Sequence, residues 1–336
     1  GGTCMRRLLA VFLCLLLASC GSAAGPAAFA PEEADRLVIY TSHPQSLYAP
    51  LVKEFEERTG IWVQVETGGT AELLERLAEE AAEPRCDLFF GGGADSLTAR
   101  KELFSPYTSP MVEEVAPGFL CEDGSWTPFS ALPVVLIYNP VLVRMNPPED
   151  WESLLNPVWH GRIAFASPTV SGASYTALAT ILQVLGEDVL ESFYHNLDRQ
   201  ALPDITFVVD EVSAASAVAE GSCPIGVTIE PAALAAAQAG QDVRLVYPKE
   251  GTSAAPDGMA VVRGGLHADN ARRFIDFALG QDVQRYVERE CLRRPVRKDL
   301  LLAGEEDLLL MDYDLYQAAA NREAVLARWR ALEDGA

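Results

Sequence analysis

Past its first twenty residues the 336-residue chain has no uninterrupted apolar run of the roughly 18 or more residues that a membrane-spanning helix needs. It is also short of positive charge. Twenty-six Lys and Arg stand against 48 Asp and Glu, a formal net charge of −22. A basic stripe for nucleic acid is therefore not expected. Only four histidines occur, at His43, His160, His195 and His267, and none pairs with another at His-x-x-x-His spacing, so a zinc site is not indicated. No Cys-x-x-Cys is present, which argues against thiol redox chemistry and zinc ribbons. Neither Gly-x-Gly-x-x-Gly, nor Gly-Lys-Ser/Thr, nor Gly-x-Ser-x-Gly appears, so dinucleotide, nucleotide-phosphate and serine-hydrolase signatures are missing. With no nucleophile–base pair or cofactor motif in view, the chain reads as a binding protein that needs no cofactor rather than as an enzyme.

What is present begins with an export signal. Met5-Arg6-Arg7 gives a positive start, Leu8 to Leu17 is apolar, and Leu17-Ala18-Ser19-Cys20 closes the segment. That order is the pattern of a secretory signal, here expected over residues 1–20. Residues 21–35 begin rich in Ala, Gly, Ser and Pro and read as a flexible tether. If Cys20 carries lipid, Cys86, Cys121, Cys223 and Cys291 remain. Two disulfides are then permitted in an oxidising compartment, with Cys86–Cys121 favoured by position.

The remaining ~300 residues exceed one ordinary core and imply two lobes. Leu37 to Tyr40, Ile61 to Val65 and Leu88 to Phe90 read as strands. Between them, Leu47, Leu51, Val52 and Phe55, and then Leu73, Leu74, Leu77, Ala78 and Ala81, follow helical spacing, with Gly60 ending the first helix and Thr70 capping the second. This alternation predicts an α/β fold, each lobe a mostly parallel sheet flanked by helices. Further strands are expected at 162–166, 205–209, 225–229, 243–247 and 259–262, and further helices at 175–185, 270–279, 283–290 and 307–332. The expected division is 36–130 with 248–303 for one lobe, 131–247 for the other, and 304–336 as a C-terminal helical region.

In open α/β sheets ligands bind beyond the carboxyl ends of the strands. Several loops there combine glycine, which lets a ligand approach backbone, with hydroxyls and helix N-termini. They are Thr41-Ser42-His43, Gly69-Thr70, Gly92-Gly93 and Ser171-Gly172-Ala173-Ser174. Each alone reads equally as a turn or a cap. Four converging on one cleft would suit an anion or a polyhydroxylated solute. Glu230 and the Asp210-Glu211 pair are polar candidates at other strand ends. Of the five tryptophans, Trp126 is the one candidate for a sugar platform.

Several longer stretches carry a resemblance. Ile39-Tyr40-Thr41-Ser42, Phe55 to Ile61, Gly68 to Leu77, Asp87 to Asp95, Ser171 to Leu178, Tyr247 to Ser253, Asp257-Gly258 and Ala271 to Phe277 together resemble type II periplasmic binding proteins. The nearest branch is the one that takes ferric iron, phosphosugars and aminoethylphosphonate. The closing tetrad at Cys20 likewise resembles a lipobox, whose cysteine is acylated and becomes the mature N-terminus. The resemblance implies two lobes joined by two crossover strands, closing on a solute between them. It implies delivery to an ABC permease and ATPase by a monomer anchored outside the membrane through Cys20. Carried over, the cleft loops fall at Ser42, Gly69-Thr70, Gly92-Gly93, Ser171 to Ser174, Glu230 and Asp257. Ferric binders of this branch have a Tyr-Tyr pair near the position of Thr228-Ile229-Glu230, and this chain has none. The expected solute is thus a small anion, a phosphorylated sugar or organophosphonate, with ferric iron or a thiamine-type cation, or solute sensing without transport, as alternatives.

Overall fold

The computed structural model describes residues 31–197, 211–301 and 308–335. The predicted signal and Cys20, the strand expected at 205–209 and Asp210 lie outside them.

Eleven strands are assigned among the described residues, in two sheets. The larger is built from β1 (Arg36–Thr41), β2 (Trp62–Thr67), β3 (Leu88–Gly93), β4 (Phe104–Ser105), β5 (Thr127–Ala131), β10 (Pro256–Val262) and β11 (Arg294–Pro295). The smaller contains β6 (Val134–Tyr138), β7 (Ile163–Ala164), β8 (Ile225–Ile229) and β9 (Arg244–Val246). β1 pairs in parallel with β2 and β3, and β7 with β8. The strands near the crossovers pair antiparallel, β10 with β3, β4 and β5, and β6 with β8 and β9. Both sheets are therefore mixed. A chain that leaves one lobe and later returns to it lays its return strand against the outgoing one.

Period-two alternation sends each strand's side chains to opposite faces. In the larger sheet Leu37, Ile39, Leu88, Phe90, Met259 and Val261 pack under α1 (Gln45–Thr59), α8 (Ala268–Ala278) and α9 (Gln281–Cys291). Tyr40, Phe89, Ala260 and Val262 pack on the other face with α2 (Thr70–Glu79) and α3 (Ala94–Ala99). The smaller sheet divides likewise. Val134, Leu136, Ile225 and Val227 meet α4 (Gly172–Leu185) and α5 (Leu190–Asn196), while Val135 and Ile137 meet α6 (Glu211–Ala219) and α7 (Glu230–Gln238). Each such buried aliphatic or aromatic side chain contributes about 1.5–3 kcal/mol relative to exposure.

Two crossovers join the sheets, β5 to β6 and the stretch leading into β10. They are hydrogen-bonded to each other, Leu132 N to Ala255 O at 3.2 Å and Val134 N to Ser253 O at 3.2 Å. The C-terminal stretch adds to this hinge, with Thr252 N donating to Leu309 O and Met311 N to Thr252 O. α10 (Leu315–Asp334) then touches both halves. Trp329 is buried among Phe165, Phe193 and Tyr194 of the smaller-sheet core. On the other side, Tyr313, just before the helix, donates to Asp95 at 2.7 Å.

Neither the favoured Cys86–Cys121 bridge nor a second permitted disulfide is formed: Cys86, Cys121, Cys223 and Cys291 are free thiols. Cys86 is buried and donates to Leu88 O at 3.2 Å, whereas Cys121 is half-buried beside Asp123 and Ser125. Burial pushes the Cys86 thiol well above its usual range. Trp126 is core, not platform: it is buried with its indole nitrogen donating to Thr98 Oγ1 at 2.8 Å.

Candidate functional site

β1, β2 and β3 run parallel, so Thr41, Thr67 and Gly93 end at one edge of the larger sheet. The glycine run finishes β3 instead of forming a loop beyond it. Gly91 and Gly92 have φ of 121° and 77°, and a Cβ on Gly92 would stand 2.8 Å from Thr70 Cγ2. Only glycine fits there without strain. Gly69, not Thr70, is the N-cap of α2, and Thr70 opens the helix.

From the smaller sheet, Ser171 caps α4 by accepting from Ser174 N at 3.2 Å. This end of α4 meets the end of β3. A Cβ on Gly172 would be 3.0 Å from Thr70 Oγ1 and 3.1 Å from Gly93 N, and one on Gly69 would be 3.1 Å from Val170 O. Ala71 N donates to Val170 O at 3.5 Å. Thr176, one turn into α4, donates to Asp95 Oδ2 at 2.7 Å. Gly69, Thr70, Gly92, Gly93, Ser171 and Gly172 are thus brought together from two lobes, and Ser174 is buried just behind them. The seam is shut. Between Gly93, Ala173, Thr176 and Ile229 it encloses about 10 Å³, near the least that admits one water.

The remaining predicted residues gather beside the hinge in two polar clusters. Asp257 is buried. It accepts from Ser130 N at 2.9 Å, Ser130 Oγ at 2.7 Å and Arg293 Nη1 at 2.7 Å. His43 Nε2 lies 3.2 Å from Asp257 Oδ2 without hydrogen-bond alignment, and its ring meets Phe90 edge-on at 4.5 Å. Burial, with Arg293 adding repulsion, holds the imidazole pKa well below its usual value, so His43 is neutral. Burial raises the Asp257 carboxyl pKa, and the Arg293 charge and the Ser130 bonds oppose the rise. Thr41 Oγ1 donates to Phe90 O and accepts from His43 N, which places it inside the fold. Ser42 stands where a Cβ on Gly91 would meet its hydroxyl at 2.6 Å.

Glu230 opens α7 and is buried. Arg294 Nε and Nη2 each donate to it at 2.7 Å, a bidentate pair, and Tyr247 also donates to it. Burial, then Glu230 itself, pushes the Tyr247 phenol up to about 12. The sequence reading missed Arg293, Arg294, Ser130, Thr176 and Asp95. The adjacent arginines of an acidic chain were a visible signal. Thr176 and Asp95 gave none beyond their place inside matched stretches.

Among the described residues no group of three or more His, Cys, Asp or Glu is disposed to hold a metal ion. What the seam and hinge offer is backbone amides, hydroxyls and buried guanidiniums.

Comparison with known proteins agrees with this geometry. Residues 82–311 match the model of the bacterial extracellular solute-binding protein family, and the chain belongs to that family. An uncharacterized protein of Haemophilus influenzae is 26% identical over 316 residues, covering 88% of this chain and 89% of its own. Iron uptake protein A1 of Synechocystis is 26% identical over 294 residues, covering 84% and 81%. In structure, the periplasmic binding protein AfuA of Actinobacillus pleuropneumoniae, with fructose-6-phosphate bound, superposes with a TM-score of 0.80 at 23% identity, covering 88% of this chain and 97% of its own. The two-lobe type II binding-protein fold is therefore this chain's fold.

Proposed function

We propose that this solute-binding protein captures a small anion, a phosphorylated sugar or an organophosphonate, in the seam between its lobes and delivers it to an ABC permease and ATPase. The supporting observation is the convergence of Gly69-Thr70, Gly92-Gly93 and Ser171-Gly172 from two sheets. Their amides and hydroxyls are the donors an oxyanion needs. The shut seam must part at the crossovers to admit a guest, the reverse of the closing motion by which hinged binding proteins trap a ligand. In this reading residues 36–130 and 248–303 form one lobe and 131–247 the other. Cys20 carries lipid, and the protein acts as a monomer outside the membrane. Ser42, His43, Glu230 and Asp257 serve from the hinge side, Glu230 facing the organic part once the lobes open.

A ferric reading is favoured by the likeness to Iron uptake protein A1. Against it stand the lack of a Tyr-Tyr pair and the donor-rich seam. Thermal unfolding with fructose 6-phosphate, 2-aminoethylphosphonate and ferric citrate separates the two. A true solute at a hundredfold excess over Kd adds about 2.7 kcal/mol. Stabilisation by ferric citrate alone transfers the assignment to iron.

A further inference from the structure

Outside the seam, a cavity of about 250 Å³ lies between the start of α2 and the C-terminal helix. Five charged side chains line it: Glu75, Arg100, Arg322, Glu323 and Arg330. Three guanidiniums thus meet in one small space on a chain of net charge −22.

Their hydrogen-bonding capacity is mostly unspent. A guanidinium has five N–H donors in a planar fork. Arg100 pairs through Nε alone, with Glu102 Oε1 at 3.1 Å. Arg322, buried in the wall, donates from Nε to Ser96 Oγ at 3.4 Å and from Nη1 to Glu323 Oε1 at 3.0 Å, and lies 5.4 Å from the centre of the Tyr175 ring. Its Nη2 donates to nothing among the described residues. Arg330 forms no hydrogen bond or ion pair among them. Glu323 is 70% exposed at its side chain and is free to swing away. The volume lies below the range of drug-sized pockets and suits a small solute.

We propose that this cavity is a second anion site, for a small dianion such as a phosphate group. Arg322 supplies the buried, pre-positioned fork, and Arg100 and Arg330 close over the ligand from either side. Bidentate guanidinium–phosphate pairs are strong and directional. The site also spans the two lobes. Arg100 ends α3 on the larger sheet, while Arg322 and Arg330 sit on a helix anchored in the other core by Trp329. An anion held by all three ties α3 to the C-terminal helix, which also packs into the smaller-sheet core through Trp329.

The test uses the full chain and inorganic phosphate, titrated by calorimetry at low ionic strength. Arg330 is exposed and Arg100 half-buried, so Arg100→Gln/Arg330→Gln keeps the buried Arg322, and the melting curve without phosphate checks that the fold is kept. Saturable phosphate binding weakened at least about tenfold by that double variant is the expected result, as each lost charge-assisted bond is worth about that factor. Arg328→Gln, on the same helix but paired with Glu187, should leave it unchanged. No saturable binding to the wild-type chain, equal affinity in the double variant, or equal weakening by Arg328→Gln overturns the proposal. Unchanged affinity in the double variant would place phosphate in the seam.

Discussion

Gly93 and Gly172 meet backbone to backbone across the seam, so closely that a Cβ on Gly172 would stand 3.1 Å from the Gly93 amide nitrogen. One glycine belongs to each lobe, and neither lobe needs this contact for its own core. The closed form therefore depends on the absence of two side chains.

Gly172→Ala tests that dependence. Alanine is preferred over glycine inside a helix by roughly 0.5–1 kcal/mol, so α4 should not suffer. Closure should, because backbone atoms and Thr70 cannot yield as a flexible side-chain end would. The expected outcome is an unchanged or slightly raised melting temperature, a larger radius of gyration by X-ray scattering, and solute affinity lowered about tenfold.

The Glu230–Arg294 pair ties the first turn of α7 to the hinge strand β11. Removing one partner of a buried ion pair costs about 3–5 kcal/mol. Arg294 retains 18% exposure of its side chain, so Glu230→Ala should fall at the lower end of that range. Glu230→Gln, which keeps an acceptor for Tyr247, should cost less. Urea denaturation measures both, and a Glu230→Gln cost near zero would refute the charge-pair account.

Asp95 is fully buried and accepts from Thr176, Tyr313 and Ser96 N. Burial raises its pKa above the usual carboxylate value of 3.8, and those bonds only oppose the rise. A carboxyl whose folded pKa is raised binds its proton more tightly when folded. Its contribution is then fully present below the unfolded pKa and is lost as pH rises from there through the folded pKa. Compared with Asp95→Asn, the wild-type chain should lose stability as pH rises above about 4. Melting curves of both proteins across that acid range give the difference, and a difference that grows in the opposite direction would contradict the assignment.

Free thiols make a distinct prediction. Reductant should leave the melting temperature of the folded chain unchanged. A thiol-alkylating reagent should label the half-buried Cys121 and Cys291 in the native state, and reach the buried Cys86 and Cys223 only after unfolding. Native mass spectrometry counts the added groups.

Much of the scaffold was readable because local pattern and final environment agree. The strand at Ile225–Ile229 is an apolar run buried on both faces, the strand at Arg36–Thr41 buries all but Arg36 and Val38, and the helix ending at Gly60 carries its own stripe and stop signal. Where the reading slipped, the deciding partner was distant in sequence. Gly91 to Gly93 reads as a loop but completes a strand, because β10 supplies the antiparallel partner some 170 residues later. Thr70 reads as a cap, yet Gly69 takes that position where Val170 of the other lobe presses on it. Glu230 reads as an open acceptor, but Arg294 arrives from the hinge to hold it.

By itself the sequence determined the α/β class and the solute-binding family, since these follow from periodicity and from stretches of matched residues. Only the tertiary structure decided that the seam is shut, that the cysteines remain thiols, that Asp95 and Thr176 fasten one lobe to the other, and that three arginines share a cavity. Each of those depends on groups scores of residues apart reaching a few ångströms' separation, and no local pattern encodes such a distance.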